Sequence, residues 1–307
     1  SEESRKLALE TRLGLGYSSR EYRKLLSFLR ERIGVLEKNI TLKRYDNINY
    51  QNISARKLLK YKNLFLKEDP EYFNEYLESD NFIIKDPLPI IIELCNKKSA
   101  SKDEKDLNVK LFNKYLESIN NYSKDETLVI NGISEESKVN KDIYVFMLMA
   151  LLYKKLNLSR FKNYYIYFKE NPKFNKLIGG DLLQDIETIM SSNNNKEGRL
   201  FEALDLLLFA ILRRNISLDD IPDTILYINN SNESKELKAA EINEYFEKNW
   251  FNMRKKPKIK ILNLNSNKFK LVKEDKITFI YGYKSKYLRN IIEDIEVDEV
   301  EEVREKF

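Results

Sequence analysis

Turn chemistry is scarce in this chain. Eight glycines and six prolines punctuate 307 residues, and these are the residues that end helices and close tight hairpins. With 34% of positions charged and 42% hydrophobic, the expectation is long helices joined by short polar turns around a core that a chain of this length can bury. The predicted fold class is mainly α. It is an array of antiparallel helical hairpins, α-solenoid-like or an irregular helical stack, with a small three-stranded antiparallel β meander near the C-terminus.

Periodicity and capping residues place the elements. A helix over residues 2–13 breaks at Gly14 and Gly16, and Ser18 or Ser19 caps a second over 20–38, whose Leu25, Phe28, Leu29, Ile33 and Leu36 recur at helical spacing as a core face. A third follows Ser54, and Asp69-Pro70 opens a fourth as N-cap and first-turn proline. Asp86-Pro87-Leu88-Pro89 imposes an extended start on the run 90–95. Ser101 and Glu104 read as a capping box. The polar stretch 122–139 is a loop in which residues 127–130 offer a short strand as an alternative.

From Asp142 an apolar helix is expected to Leu156, then a turn at Asn157-Leu158-Ser159, and a second helix over 160–170 before Pro172. The spacing of Val145, Leu148, Met149, Leu152, Leu156, Phe161, Tyr165 and Phe168 resembles the tetratricopeptide repeat over residues 142–172. Met149 and Phe161 stand where that family usually has small residues. The resemblance implies a superhelical scaffold with a concave peptide-binding surface. Further helices are expected after Gly179-Gly180 with Asp181 and Gln184 as a capping pair, over 198–214, from residues 217–222 onward, and over 233–250. Beyond Pro257 the pattern alternates charged and apolar residues over 258–264, 268–272 and 276–283, which reads as the meander. Ser285 caps a short helix to Ile292. Domain organisation follows: basic N-terminal helices (1–65), hairpin array (66–252), meander (257–284), and a short helix with an acidic tail (285–307).

Function is bounded mainly by what is missing. The chain has no histidine, which removes Ser-His-Asp and Cys-His nucleophile systems and histidine-containing zinc sites. A carboxylate or lysine site remains open, but no catalytic residue, metal ligand or cofactor motif is identifiable, and Gly14-Leu15-Gly16 lacks the third glycine and preceding strand of a dinucleotide fingerprint. Cys95 is the single cysteine, so no disulfide framework forms and a reducing, cytoplasmic setting is expected. The first residue is not methionine, which leaves a removed N-terminal signal or anchor open. No apolar run is long enough for a membrane span.

The expected function is a non-catalytic protein–protein interaction module or scaffold component of a larger assembly. Tyr164, Tyr167, Phe279 and Tyr281 are its candidate partner contacts, since aromatic side chains suit interfaces. The alternative is RNA or DNA binding. Residues 1–62 hold fifteen Lys/Arg against seven Asp/Glu, and Arg20, Arg23, Lys24 and Arg30 line one helix, while Lys258, Lys260, Lys268 and Lys270 belong to the C-terminal strands. Residues 290–307 reverse the sign, with eight acids against two bases.

Overall fold

The computed structural model describes residues 2–32, 35–79, 84, 86–96, 102–119, 122, 125–134, 141–158, 160–178, 180–192, 198–230, 237–266 and 268–295. The chain forms two units, Ser1–Phe82 and Ile83–Phe307.

The first unit is helical: α1 (Glu2–Gly14), α2 (Ser19–Arg32), α3 (Leu36–Thr41), α4 (Ala55–Glu68) and α5 (Pro70–Glu78). Its core is aromatic. Tyr50 meets Phe65 edge-on at 5.1 Å between ring centroids, Phe73 at 5.3 Å and Tyr76 in a stack at 5.5 Å. The buried Tyr50 hydroxyl donates to Asp69 Oδ2 at 2.6 Å, which satisfies both polar groups inside an apolar cluster. Pro70 does open α5, but the Asp69 carboxylate takes the tyrosine hydroxyl and makes no side-chain cap to that helix. Burial first, then the bond to Asp69, pushes the Tyr50 phenol well above its ordinary pKa.

The second unit is built on a sheet of seven strands: β1 (Thr127–Asn131), β2 (Tyr164–Phe168), β3 (Pro172–Lys176), β4 (Thr224–Asn229), β5 (Lys258–Asn263), β6 (Lys270–Glu274) and β7 (Ile277–Tyr281), in the spatial order β3-β2-β1-β4-β5-β7-β6. The five inner strands are parallel to one another and the two edge strands antiparallel to their neighbours. Helices alternate with the strands along the chain: α6 (Leu88–Cys95), α7 (Lys102–Ser118), α8 (Lys141–Leu156), α9 (Leu182–Ser191), α10 (Leu200–Arg213), α11 (Ala239–Asn249) and α12 (Leu288–Glu293). Alternation of this kind around a largely parallel sheet defines a doubly wound α/β architecture.

Register shows how the sheet divides its side chains. Leu128 and Ile130 of β1 pair with Ile225 and Tyr227 of β4, which pair with Ile259 and Ile261 of β5. These residues share one face and one core with Leu204 and Leu207 of α10 and with Ile242, Phe246 and Trp250 at α11. Trp250 is fully buried and meets Phe246 edge-on at 5.4 Å, so the end of α11 is fixed to the sheet. On the opposite face Phe146 of α8 packs edge-on against Tyr165 at 5.6 Å. Both faces are therefore covered, and β1 and β4 are buried at every position.

This architecture corrects the mainly-α expectation in three places. The tetratricopeptide-like pair is overturned because only its first helix forms; the stretch expected as the second is strand β2, with β3 hairpinned onto it. A whole strand, β4, occupies a region expected to be helical. The three C-terminal strands exist, but they are no meander: β5 pairs with β7 in parallel, and only β6 and β7 form an antiparallel pair. The segment after β5 crosses the end of β7, where Gly282 adopts φ +71° and a Cβ would lie 2.7 Å from the carbonyl oxygens of Ser266 and Lys268. Leu88 and Pro89 open helix α6, with Pro87 already in helical geometry as its N-cap, so the run 90–95 has no extended lead-in. Ser101, Asn193-Asn194-Asn195 and the acidic tail beyond 295 lie outside the described residues.

Candidate functional site

In a doubly wound sheet the ligand-facing edge is the C-terminal end of the parallel strands, at the point where successive connections leave in opposite directions. Here that point lies between β1 and β4: the chain leaves β1 toward β2 and β3 and returns to β4 on β1's other side. Asparagine ends all three central strands. Asn131, Asn229 and Asn263 are 2%, 6% and 6% exposed. Their amides organise the loops that follow: Asn131 Oδ1 accepts from Ile133 N at 3.1 Å, and Asn263 Oδ1 accepts from Asn265 N at 2.9 Å. Asn230 joins the β1 and β4 loops, accepting from Ser134 N at 3.0 Å while its amide donates to Asp142 Oδ2 at 3.2 Å. Burial raises the Asp142 pKa, and the bond from Asn230 opposes that rise.

Close packing stiffens this edge. Gly132 sits against Tyr227, whose ring would lie 2.3 Å from any Cβ at that position. The Tyr227 hydroxyl donates to Gly198 O at 2.6 Å, and Gly198 N donates to Gly132 O at 3.4 Å. Amide side chains spent on holding backbone make a neutral, rigid platform. Among the described residues no cluster of three or more Cys, Asp or Glu side chains is arranged to hold a metal ion.

A second candidate surface lies in the helical unit. Seven large apolar side chains in the first 29 residues are exposed: Leu7 at 65%, Leu9 at 48%, Leu13 at 62%, Leu15 at 55%, Tyr17 at 41%, Phe28 at 57% and Leu29 at 41%. No described side chain of α1 is buried. Leu9 and Leu13, one turn apart, share a face. Among them stand the exposed Arg20, Arg23, Lys24 and Arg30. The sequence pattern assigns Phe28 and Leu29 to a core face, and the structure leaves both in solvent.

The remaining sequence candidates scatter over the sheet. Tyr164 and Tyr167 lie in β2, half-buried, on opposite faces by alternation. Phe279 is in the core at 7% exposure, and Tyr281, half-buried, ends β7. Lys258 and Lys270 are exposed on β5 and β6, and Lys268 is exposed just before β6. Lys260 is 4% exposed, and its ammonium donates to Ile291 O at 3.2 Å and Ile292 O at 2.9 Å, capping the end of α12. The asparagine platform was not legible beforehand, because 32 asparagines submerge three informative ones.

Comparisons with known proteins bear on both units. Residues 3–81 match a family described as a domain of unknown function (DUF2828), which coincides with the helical unit. Among solved structures the chain is similar to the crystal structure of the Deinococcus radiodurans RO (RSR) protein, with a TM-score of 0.52 and 12% identity over 90% of this chain. The chain spans 63% of the length of that protein. At this identity the likeness is one of fold, and it agrees with the mixed sheet rather than a helical repeat. No curated protein matches the chain. No helix among the described residues is long and apolar enough to cross a membrane.

Proposed function

We propose that the chain is a non-catalytic protein-binding module whose docking surface is the α1–α2 segment. The observation that carries this reading is the exposed apolar set from Leu7 to Leu29. A helix of 13 residues is marginal in water without tertiary packing, and α1 has no described side chain buried in the chain itself. Apolar exposure concentrated in one short segment supports an interaction surface. Arginines and lysine interleaved with the leucines suit a partner groove that is apolar at its centre and acidic at its rim.

The test is recovery of a partner with the full chain, followed by reassembly from purified components. Burying a leucine contributes roughly 1.5–3 kcal/mol, so Leu9→Glu with Leu13→Glu is expected to weaken the reassembled complex by about a hundredfold or more without lowering the melting temperature. Retention of affinity in that double variant would contradict the reading.

A further inference from the structure

Far from the asparagine platform, at the opposite end of the parallel strands, a pocket of about 840 Å³ opens between the β2–β3 hairpin and the last turns of α10. Its volume falls in the range of small-molecule sites. Three arginines line it: Arg160 from the turn before β2, and Arg213 and Arg214 from the end of α10. The rings of Tyr164, Phe174 and Phe209 line it too, and none of its described lining residues is acidic. The rings are mutually braced, with Tyr164 edge-on to Phe174 at 6.3 Å and the Arg213 guanidinium 5.6 Å from the Phe209 centroid. Phe209 is 58% exposed, an unusual position for phenylalanine beside a cationic cleft.

Arg213 and Arg214 alone would be explained by the negative end of the α10 dipole. Arg160 comes from a separate segment, beyond the end of α8 at Leu156 and in the turn before β2, yet it lines the same space. Guanidinium groups recognise phosphate through paired hydrogen bonds, and exposed rings stack on nucleobases. We propose that this pocket binds a nucleoside phosphate, its base against Phe209 and Tyr164 and its phosphates on Arg160, Arg213 and Arg214. The site is independent of the α1–α2 surface.

Calorimetric titration of the full chain with ATP, GMP, inorganic pyrophosphate and a single-stranded oligonucleotide tests it. Micromolar binding of ATP or GMP is expected, reduced about tenfold or more by Arg213→Gln with Arg214→Gln. Phe209→Ser, at an exposed position, is expected to weaken the nucleotide about tenfold and leave pyrophosphate unchanged. The proposal is overturned if neither nucleotide binds below millimolar concentration, if pyrophosphate binds as tightly as ATP, if only the oligonucleotide binds, or if the variants bind as the parent does.

Discussion

At Gly132 the chain tolerates no side chain, because the Tyr227 ring occupies the space a methyl would need. Gly132→Ala is therefore expected to cost about 2 kcal/mol or more, and Tyr227→Phe, which keeps the ring and removes the bond to Gly198 O, about 1 kcal/mol. Urea unfolding of the two variants measures the difference, and equal costs would contradict the packing described. Lys260 supplies a pH-dependent test. Burial, its largest influence, lowers the pKa below the usual lysine value, against the opposing pull of Asp294 and Asp125. Between its folded value and 10.5 the unfolded chain binds the extra proton, so this group makes stability rise with pH in that alkaline window. Buried tyrosines such as Tyr153, whose phenol burial pushes up, act in the opposite sense above pH 10. The stability difference between parent and Lys260→Met isolates the lysine, and should move in the parent's favour as pH climbs toward 10.5. Neither residue was legible in the sequence: a glycine before a loop and a lysine in a basic strand each have an ordinary surface explanation.

Single elements explain why most helices and the C-terminal strands were readable while β2 and β4 were not. The first two helices, the fourth and fifth, and α7, α8 and α10 announce themselves by caps or by a 3.6-residue period. β1 and β4 are buried on both faces, so Leu128-Val129-Ile130 and Ile225-Leu226-Tyr227-Ile228 show no alternation; the first reads as a loop with a short strand as its alternative, and the second falls in a stretch expected to be helical. In β2, Tyr165 and Phe168 happen to lie three residues apart, which imitates a helix stripe although both are buried in a strand, where alternation puts them on opposite faces. The alternating C-terminal strands were legible as strands, but their order was not, since pairing depends on the crossing of the segment after β5. Gly282 enforces that crossing by its positive φ and its close approach to two carbonyls. Gly282→Ala is expected to cost about 2–3 kcal/mol, seen as a lower denaturant midpoint; an unchanged midpoint would show that the crossing is not held there.

Among the described residues, exposed large apolar side chains are densest between Leu7 and Leu29, within a basic stretch of the helical unit. Residues 1–62 carry a formal +8, from fifteen basic and seven acidic residues, against +5 for all 307. The basic excess was visible in the sequence; the exposure of the leucines beside it was not, because a helical stripe looks the same whether it is covered or bare. Partner association through α1–α2 should accordingly be salt-sensitive in its rate, and Arg20→Glu with Arg23→Glu should slow it about tenfold at low ionic strength while changing dissociation little. Stopped-flow mixing with the purified partner reads both rates.

The most direct test of the docking surface is site-specific photo-crosslinking with benzoylphenylalanine placed at Leu13, Phe28 or, as a control in the sheet-bearing unit, Leu158, which is 73% exposed. One discrete protein adduct is expected from positions 13 and 28, lost in the Leu9→Glu background, and none from 158. Adducts from all three positions alike, or from 158 alone, would contradict a docking surface there.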